Sequence, residues 1–83
     1  MSRSGRLKGF SRTWNILNYV VHEPDQWTTR QIAEDLEENI YVMTNVVILL
    51  KKKGYVTSGK TIGRAKALVP TEKGIIALNQ ANA

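Results

Sequence analysis

From Ile32 to Val56 the chain reads IAEDLEENIYVMTNVVILLKKKGYV, and this stretch restricts the fold more than any other. Ile32, Ala33 and Leu36 fall on one face of a helix, and Met43, Val47 and Leu50 repeat at the same period a few residues later, with Val46 beside them. Asn39 is a good N-cap for the second helix. Gly54, directly after three lysines, supplies the left-handed residue that ends it. The first helix has its own start signal. Thr28 is followed three residues later by Gln31, a capping box in which each side chain satisfies the other's free backbone N–H. Two short helices joined by so tight a turn must share one core.

The flanking sequence supplies the rest of that core. A helix starting at Ser11 or Thr13 places Trp14, Leu17, Val20 and Val21 on one apolar face, which Ile16 and Tyr19 widen. It ends near His22, whose ring suits the helix-end carbonyls, because Pro24 disfavours helix before it and EPDQ is turn chemistry. Trp14 and Trp27 are core residues, and Glu34 and Asp35 form the wet side of the next helix. After Gly54, YVTSGK and KALV are β-prone, and TIGR between them holds the glycine of a turn. Pro70 stops the second strand, since it has no N–H to offer. Thr71 then caps a last helix, EKGIIALNQANA, with Ile75, Ile76 and Leu78 facing inward. Gly74 inside it costs about 1 kcal/mol relative to alanine, so a short or frayed helix is expected. The order is helix-helix-helix-strand-strand-helix, a mainly α fold with a small β-hairpin (α+β). Residues 1–10 read as a flexible basic arm and residues 11–83 as a single domain.

Eighty-three residues, 42% apolar and 23% charged, make one small folded domain. There is no cysteine and a single histidine, His22, so neither a metal site nor a cofactor is expected. No carboxylate constellation accompanies that histidine, so the chain does not read as an enzyme. No apolar run approaches the roughly 20 residues that cross a bilayer, and the basic N-terminus lacks the apolar stretch expected of a signal peptide. The expected location is cytoplasmic, or nucleoid-associated. The charge is segregated along the chain. Arg3, Arg6, Lys8 and Arg12 have no acid among them; Glu23, Asp25, Glu34, Asp35, Glu37 and Glu38 face only Arg30; and Lys51, Lys52, Lys53, Lys60, Arg64, Lys66 and Lys73 face only Glu72. Such a basic–acidic–basic pattern points to a polyanionic partner, nucleic acid before anionic membrane.

The stretch from Ile32 to Val56 resembles the helix-turn-helix of winged-helix DNA-binding proteins. Ile32, Ala33 and Leu36 match its first helix, Met43, Val47 and Leu50 the core positions of its second, and Gly54-Tyr55-Val56 the exit into the wing. VPTEKG (Val69 to Gly74) is similar to the segment that opens the last helix of MarR- and PadR-type regulators. The resemblance covers about residues 13–79. It implies a winged helix-turn-helix with double-stranded DNA as partner. The third helix would face the bases through Ile40, Tyr41, Thr44, Asn45 and Ile48. Thr28, Arg30, Lys51, Lys52, Lys53, Lys60, Arg64 and Lys66 would meet the backbone, and the arm with Arg3, Arg6, Lys8 and Arg12 a minor groove.

Two positions depart from the family pattern. The turn glycine after Leu36 is Glu37, and the outward positions of the third helix hold no arginine or lysine, which guanine readout favours. The set leans instead toward A/T pairs, with Asn45 suited to adenine and Thr44 and Ile40 to thymine methyls. Each basic feature also has a plainer reading. Lys51–Lys53 complement a helix dipole, Arg64 sits in a solvated turn, and Ile40, Tyr41 and Ile48 make a dimer or partner contact. The leading expectation is a small prokaryotic or phage transcriptional regulator, a repressor before an activator. It would act as a homodimer and, with no sensor domain in these residues, be regulated by abundance or by a partner. The alternative is a winged-helix protein–protein module or an accessory factor in a replication or packaging complex.

Overall fold

Capping and helical periodicity place six elements in the order α1 (Arg12–His22), α2 (Thr29–Leu36), α3 (Ile40–Lys52), β1 (Val56–Ile62), β2 (Ala65–Pro70) and α4 (Glu72–Asn82). The computed structural model describes residues 12–82, so the expected arm, with Arg3, Arg6 and Lys8, lies outside the described residues. Arg12 does not belong to an arm. It is the first residue of α1, and its Nε donates to Glu38 Oε1 at 2.8 Å.

The expected caps form. Thr28 Oγ1 accepts from the Gln31 N–H at 3.2 Å while Gln31 Oε1 accepts from the Thr28 N–H at 3.0 Å. Asn39 Oδ1 accepts from the N–H groups of Tyr41 and Val42 and so opens α3. His22 Nδ1 lies 2.8 Å from the Asn18 carbonyl, satisfying the end of α1. Between α2 and α3 the chain turns on Glu37, held left-handed at φ 57° with its N–H directed to the Ala33 and Glu34 carbonyls. A side chain in that conformation costs about 1–2 kcal/mol relative to glycine.

Ile16, Leu17 and Val20 of α1, Ile32 of α2, Met43 and Leu50 of α3, Leu68 of β2 and Leu78 of α4 are fully buried in one cluster. Trp14 and Trp27 are half-buried at its edge. Trp14 stacks on Tyr55, and Trp27 meets Tyr19 edge-on at 4.9 Å. Asp35 is not on a fully wet face, because its carboxylate accepts from the Tyr19 hydroxyl.

The hairpin is antiparallel, pairing Val56 with Pro70, Thr57 with Val69, Ser58 with Leu68, Thr61 with Lys66 and Ile62 with Ala65. The turn is shorter than TIGR, since Thr61 and Ile62 remain in β1 and Gly63, at φ 63°, supplies the left-handed position. A bulge lies between Ser58 and Thr61. The loop between α1 and α2 explains it. Asp25, itself left-handed at φ 64°, extends its carboxylate under the bulge and accepts from the Lys60 N–H at 2.7 Å. A Cβ on Gly59 would stand 2.0 Å from that carboxylate and 2.5 Å from a Val69 methyl, so any other residue would displace the Asp25 side chain from the bulge. The same loop runs beside β2, through Asp25 N–H to the Leu68 carbonyl and Leu68 N–H to the Trp27 carbonyl, both 2.9 Å.

The last helix corrects two expectations. It runs 11 residues and is not curtailed. Ile75 and Ile76 do not face inward; they are 38% and 49% exposed, while Leu78 is buried. The inward position is Gly74. A Cβ there would come within 2.1 Å of the Tyr55 carbonyl oxygen, which Thr71 N–H also approaches. With Gly74 against the backbone, the helical turn of about 100° per residue carries the next two side chains outward and returns Leu78 to the core. Thr71 caps α4 as expected, accepting from the Gly74 N–H at 3.0 Å.

Candidate nucleic-acid interface

On α3 the core stripe Met43, Val47, Leu50 faces inward, and the opposite side is left uncovered by the described residues. Tyr41, Thr44, Asn45 and Ile48, at spacings of three and four residues, share that outward stripe. Tyr41 is 78% exposed and Ile48 47%, and Thr44 and Asn45 are also exposed. Ile40 is withdrawn from the set, because it is half-buried and packs against the core. Lys52, one turn beyond Ile48, is the first cation on the stripe. Thr44 donates its hydroxyl proton to the Ile40 carbonyl at 2.8 Å, which leaves its methyl and an acceptor oxygen to meet a partner. Val42 and Leu49, 38% and 45% exposed, add apolar surface on α3 that the sequence reading omitted.

The basic residues come from three elements. Lys51, Lys52 and Lys53 end α3 and are exposed, as are Lys60, Arg64 and Lys66 on the hairpin and Arg30 in the first turn of α2. Lys51 Nζ donates to Ser58 Oγ at 3.0 Å, tying the end of the outward helix to β1. Arg30 and Arg64 line one groove between the start of α2 and the hairpin tip, together with Gln31 and Ile62. Thr28 lines the same groove but is only 4% exposed, and its hydroxyl accepts the helix-cap bond. It caps α2, the helix that carries Arg30, and its side chain is buried in doing so.

The acidic residues of the middle segment are partly accounted for. Glu38, beside the turn into α3, is ion-paired to Arg12. Glu23, Glu34 and Asp35 line a separate open groove with Gln26, Trp27 and Gln31, where Trp27 Nε1 donates to Glu23 Oε1 at 2.6 Å. Among the described residues no group of three His, Asp or Glu side chains is placed to hold a metal ion. No helix there is long and apolar enough to cross a membrane.

Sequence reasoning missed two parts of this arrangement, the Lys51–Ser58 contact and the Asp25 support beneath the hairpin. The second had a signal. A glycine inside a β-prone run marks a bulge or a close approach, and Asp tolerates the left-handed region.

No family model matches the chain and no curated protein is similar to it in sequence. Solved structures are similar in fold. MepR, a transcription regulator of the Staphylococcus aureus multidrug efflux pump MepA, superposes with a TM-score of 0.76 at 22% identity, over 87% of this chain and 54% of that one. A MarR-family transcriptional regulator from Rhodococcus sp. RHA1 gives 0.77 at 20% identity, over 86% and 51%. The transcriptional regulator BldR from Sulfolobus solfataricus gives 0.76 at 26% identity, over 96% and 58%. The chain therefore spans about half the length of the solved structures it matches. With helices and hairpin in this order and this arrangement, the chain has the winged helix-turn-helix fold of the MarR-type regulators.

Proposed function

We propose that the chain binds double-stranded DNA sequence-specifically, as the DNA-binding part of a small prokaryotic transcriptional repressor. In this reading α3 enters the major groove with its outward stripe, and the hairpin is the wing. Lys60, Arg64 and Lys66 lie along the backbone or the adjacent minor groove, with Lys51–Lys53 and Arg30 on flanking phosphates. The observation that carries the reading is an exposed α3 stripe that no described residue covers, ending in Lys51–Lys53, with Lys51 tied to the hairpin and Arg30 and Arg64 sharing a groove between α2 and the wing tip. Solved regulators with the same fold lend support. Ile75 and Ile76 on α4 provide the contact for a homodimer, which would present two copies of α3 to half-sites about 34–36 Å apart. The basic arm follows a minor groove.

Random-sequence duplex titrated over a salt series tests the proposal. Log affinity should fall linearly with log salt, by about 0.9 for each phosphate neutralised. Arg64→Ala should weaken specific and random duplexes alike and flatten the slope by about one unit. A wild-type protein with no salt-sensitive affinity for duplex would overturn the reading.

The second reading, a protein–protein module, is favoured by the exposed Tyr41, Val42, Ile48 and Leu49 on α3. It gains if duplex binding is absent while α3 variants lose a protein partner.

A further inference from the structure

The outward stripe of α3 is unusual in what it offers. A helix that reads guanine presents arginine or lysine to the O6 and N7 acceptors. Here the first cation on the stripe is Lys52, in the last turn, and Tyr41, Thr44, Asn45 and Ile48 precede it. Thr44 has given its hydroxyl proton to the Ile40 carbonyl, so it has no donor left for a base and offers its γ-methyl and an acceptor oxygen. Ile48, four residues on, lies beside it on the same stripe and is 47% exposed. Asn45 is exposed on the far side of Ile48 from Thr44, with an amide that matches the N6 and N7 pair of adenine. The feature of a base pair that an apolar side chain recognises from the major groove is a methyl on pyrimidine C5.

We propose that Thr44 and Ile48 form a reader of pyrimidine C5-methyl groups, with Asn45 pairing to a neighbouring adenine. The inference rests on the DNA-binding reading above. The occupant is set by charge complementarity, because the stripe runs into Lys51–Lys53 at the end of α3, and Lys51 ties that end to β1 of the hairpin, whose Lys60, Arg64 and Lys66 are exposed. The ligand class is C5-methylated pyrimidine in duplex DNA. Thymine supplies it in ordinary DNA, and 5-methylcytosine carries the same methyl at the same place in the groove. The site therefore distinguishes thymine from uracil, and methylated from unmethylated cytosine, where adenine readout alone does neither.

The test starts from the tightest duplex recovered from a random pool, held at fixed ionic strength. Replacing its thymines by deoxyuridine removes only the methyls. Affinity should drop about fourfold for each methyl contact, the equivalent of one buried CH2 group. At one such position, 5-methylcytosine·guanine should bind about fourfold tighter than cytosine·guanine. Thr44→Ser deletes the side-chain methyl and keeps the bond to Ile40. It should lower affinity for the thymine duplex by a similar factor and lose sensitivity to deoxyuridine at one position. Ile48→Ala should do the same at another. Binding to random duplex should not change in either variant. Equal affinity of the wild type for thymine and deoxyuridine duplexes overturns the methyl reader and leaves DNA binding standing. Variants that remain as sensitive to deoxyuridine as the wild type also overturn it. Absence of salt-sensitive binding to every duplex removes the DNA-binding reading itself, and the methyl reader with it.

Discussion

Glu37 shows how a single position can work against its own fold. It sits left-handed at φ 57° in the turn that joins α2 to α3, is exposed, and has its N–H on the Ala33 and Glu34 carbonyls. The backbone needs the conformation, and the side chain has no packing to lose. Glu37→Gly should therefore raise stability by about 1 kcal/mol, since it removes the steric cost of the left-handed residue against a smaller loss of unfolded-chain entropy. Chemical denaturation of the two proteins measures this directly, and an unchanged or lower midpoint with the same slope would contradict it. Removing that carboxylate also takes a negative charge from the turn into α3, so nonspecific duplex binding should strengthen modestly at low salt. Gly74 carries the opposite lesson. Its cost to helix propensity is outweighed by the close approach of α4 to the Tyr55 carbonyl, which no other residue permits.

At the level of elements, the wing does not stand alone. A two-stranded hairpin is marginal in water by itself. This one is held from one side by Lys51 on Ser58 and from below by Asp25 on the Lys60 amide. Asp25→Gly keeps a residue that tolerates φ 64° and deletes only the carboxylate. The Lys60 amide should then exchange faster, and stability should fall by about 1 kcal/mol, the net worth of a typical hydrogen bond. Asp25→Asn retains an acceptor and should restore most of the protection. If the wing lies on phosphates, Asp25→Gly should also weaken duplex binding although it touches no DNA. Hydrogen exchange and duplex titration on the same pair of variants separate support of the wing from general destabilisation. Unchanged Lys60 protection in Asp25→Gly would show that the carboxylate does not hold the bulge.

For the whole molecule, the open matter is what covers α4. Ile75 and Ile76 are displaced outward by the register that Gly74 sets. In the proposed homodimer they meet their counterparts. Ile76→Glu should leave the monomer's own stability nearly unchanged, within about 0.5 kcal/mol for a surface substitution, and remove the dependence of the melting temperature on protein concentration. It should turn a dimer into a monomer by sedimentation and weaken operator binding more than random-duplex binding. A wild-type chain that sediments as a monomer would refute the two-fold contact through α4. Local rules were enough for much of this architecture. The caps at Thr28, Asn39 and Thr71, the core stripes of α1 to α3, and the glycines at Gly54 and Gly63 depend on residues three or four apart, so periodicity and turn chemistry made them legible. Contacts distant in sequence were not. The sequence alone determined which segments are helix and hairpin, and in what order. The tertiary structure decided that Ile75 and Ile76 face out, that Ile40 faces in, that Thr28 is buried, and that Asp25 supports a bulge some 35 residues away. The reason is that a helix carries its apolar pattern in its own sequence, whereas which backbone comes close enough to require a glycine, or which amide lacks a partner, exists only once the elements have packed.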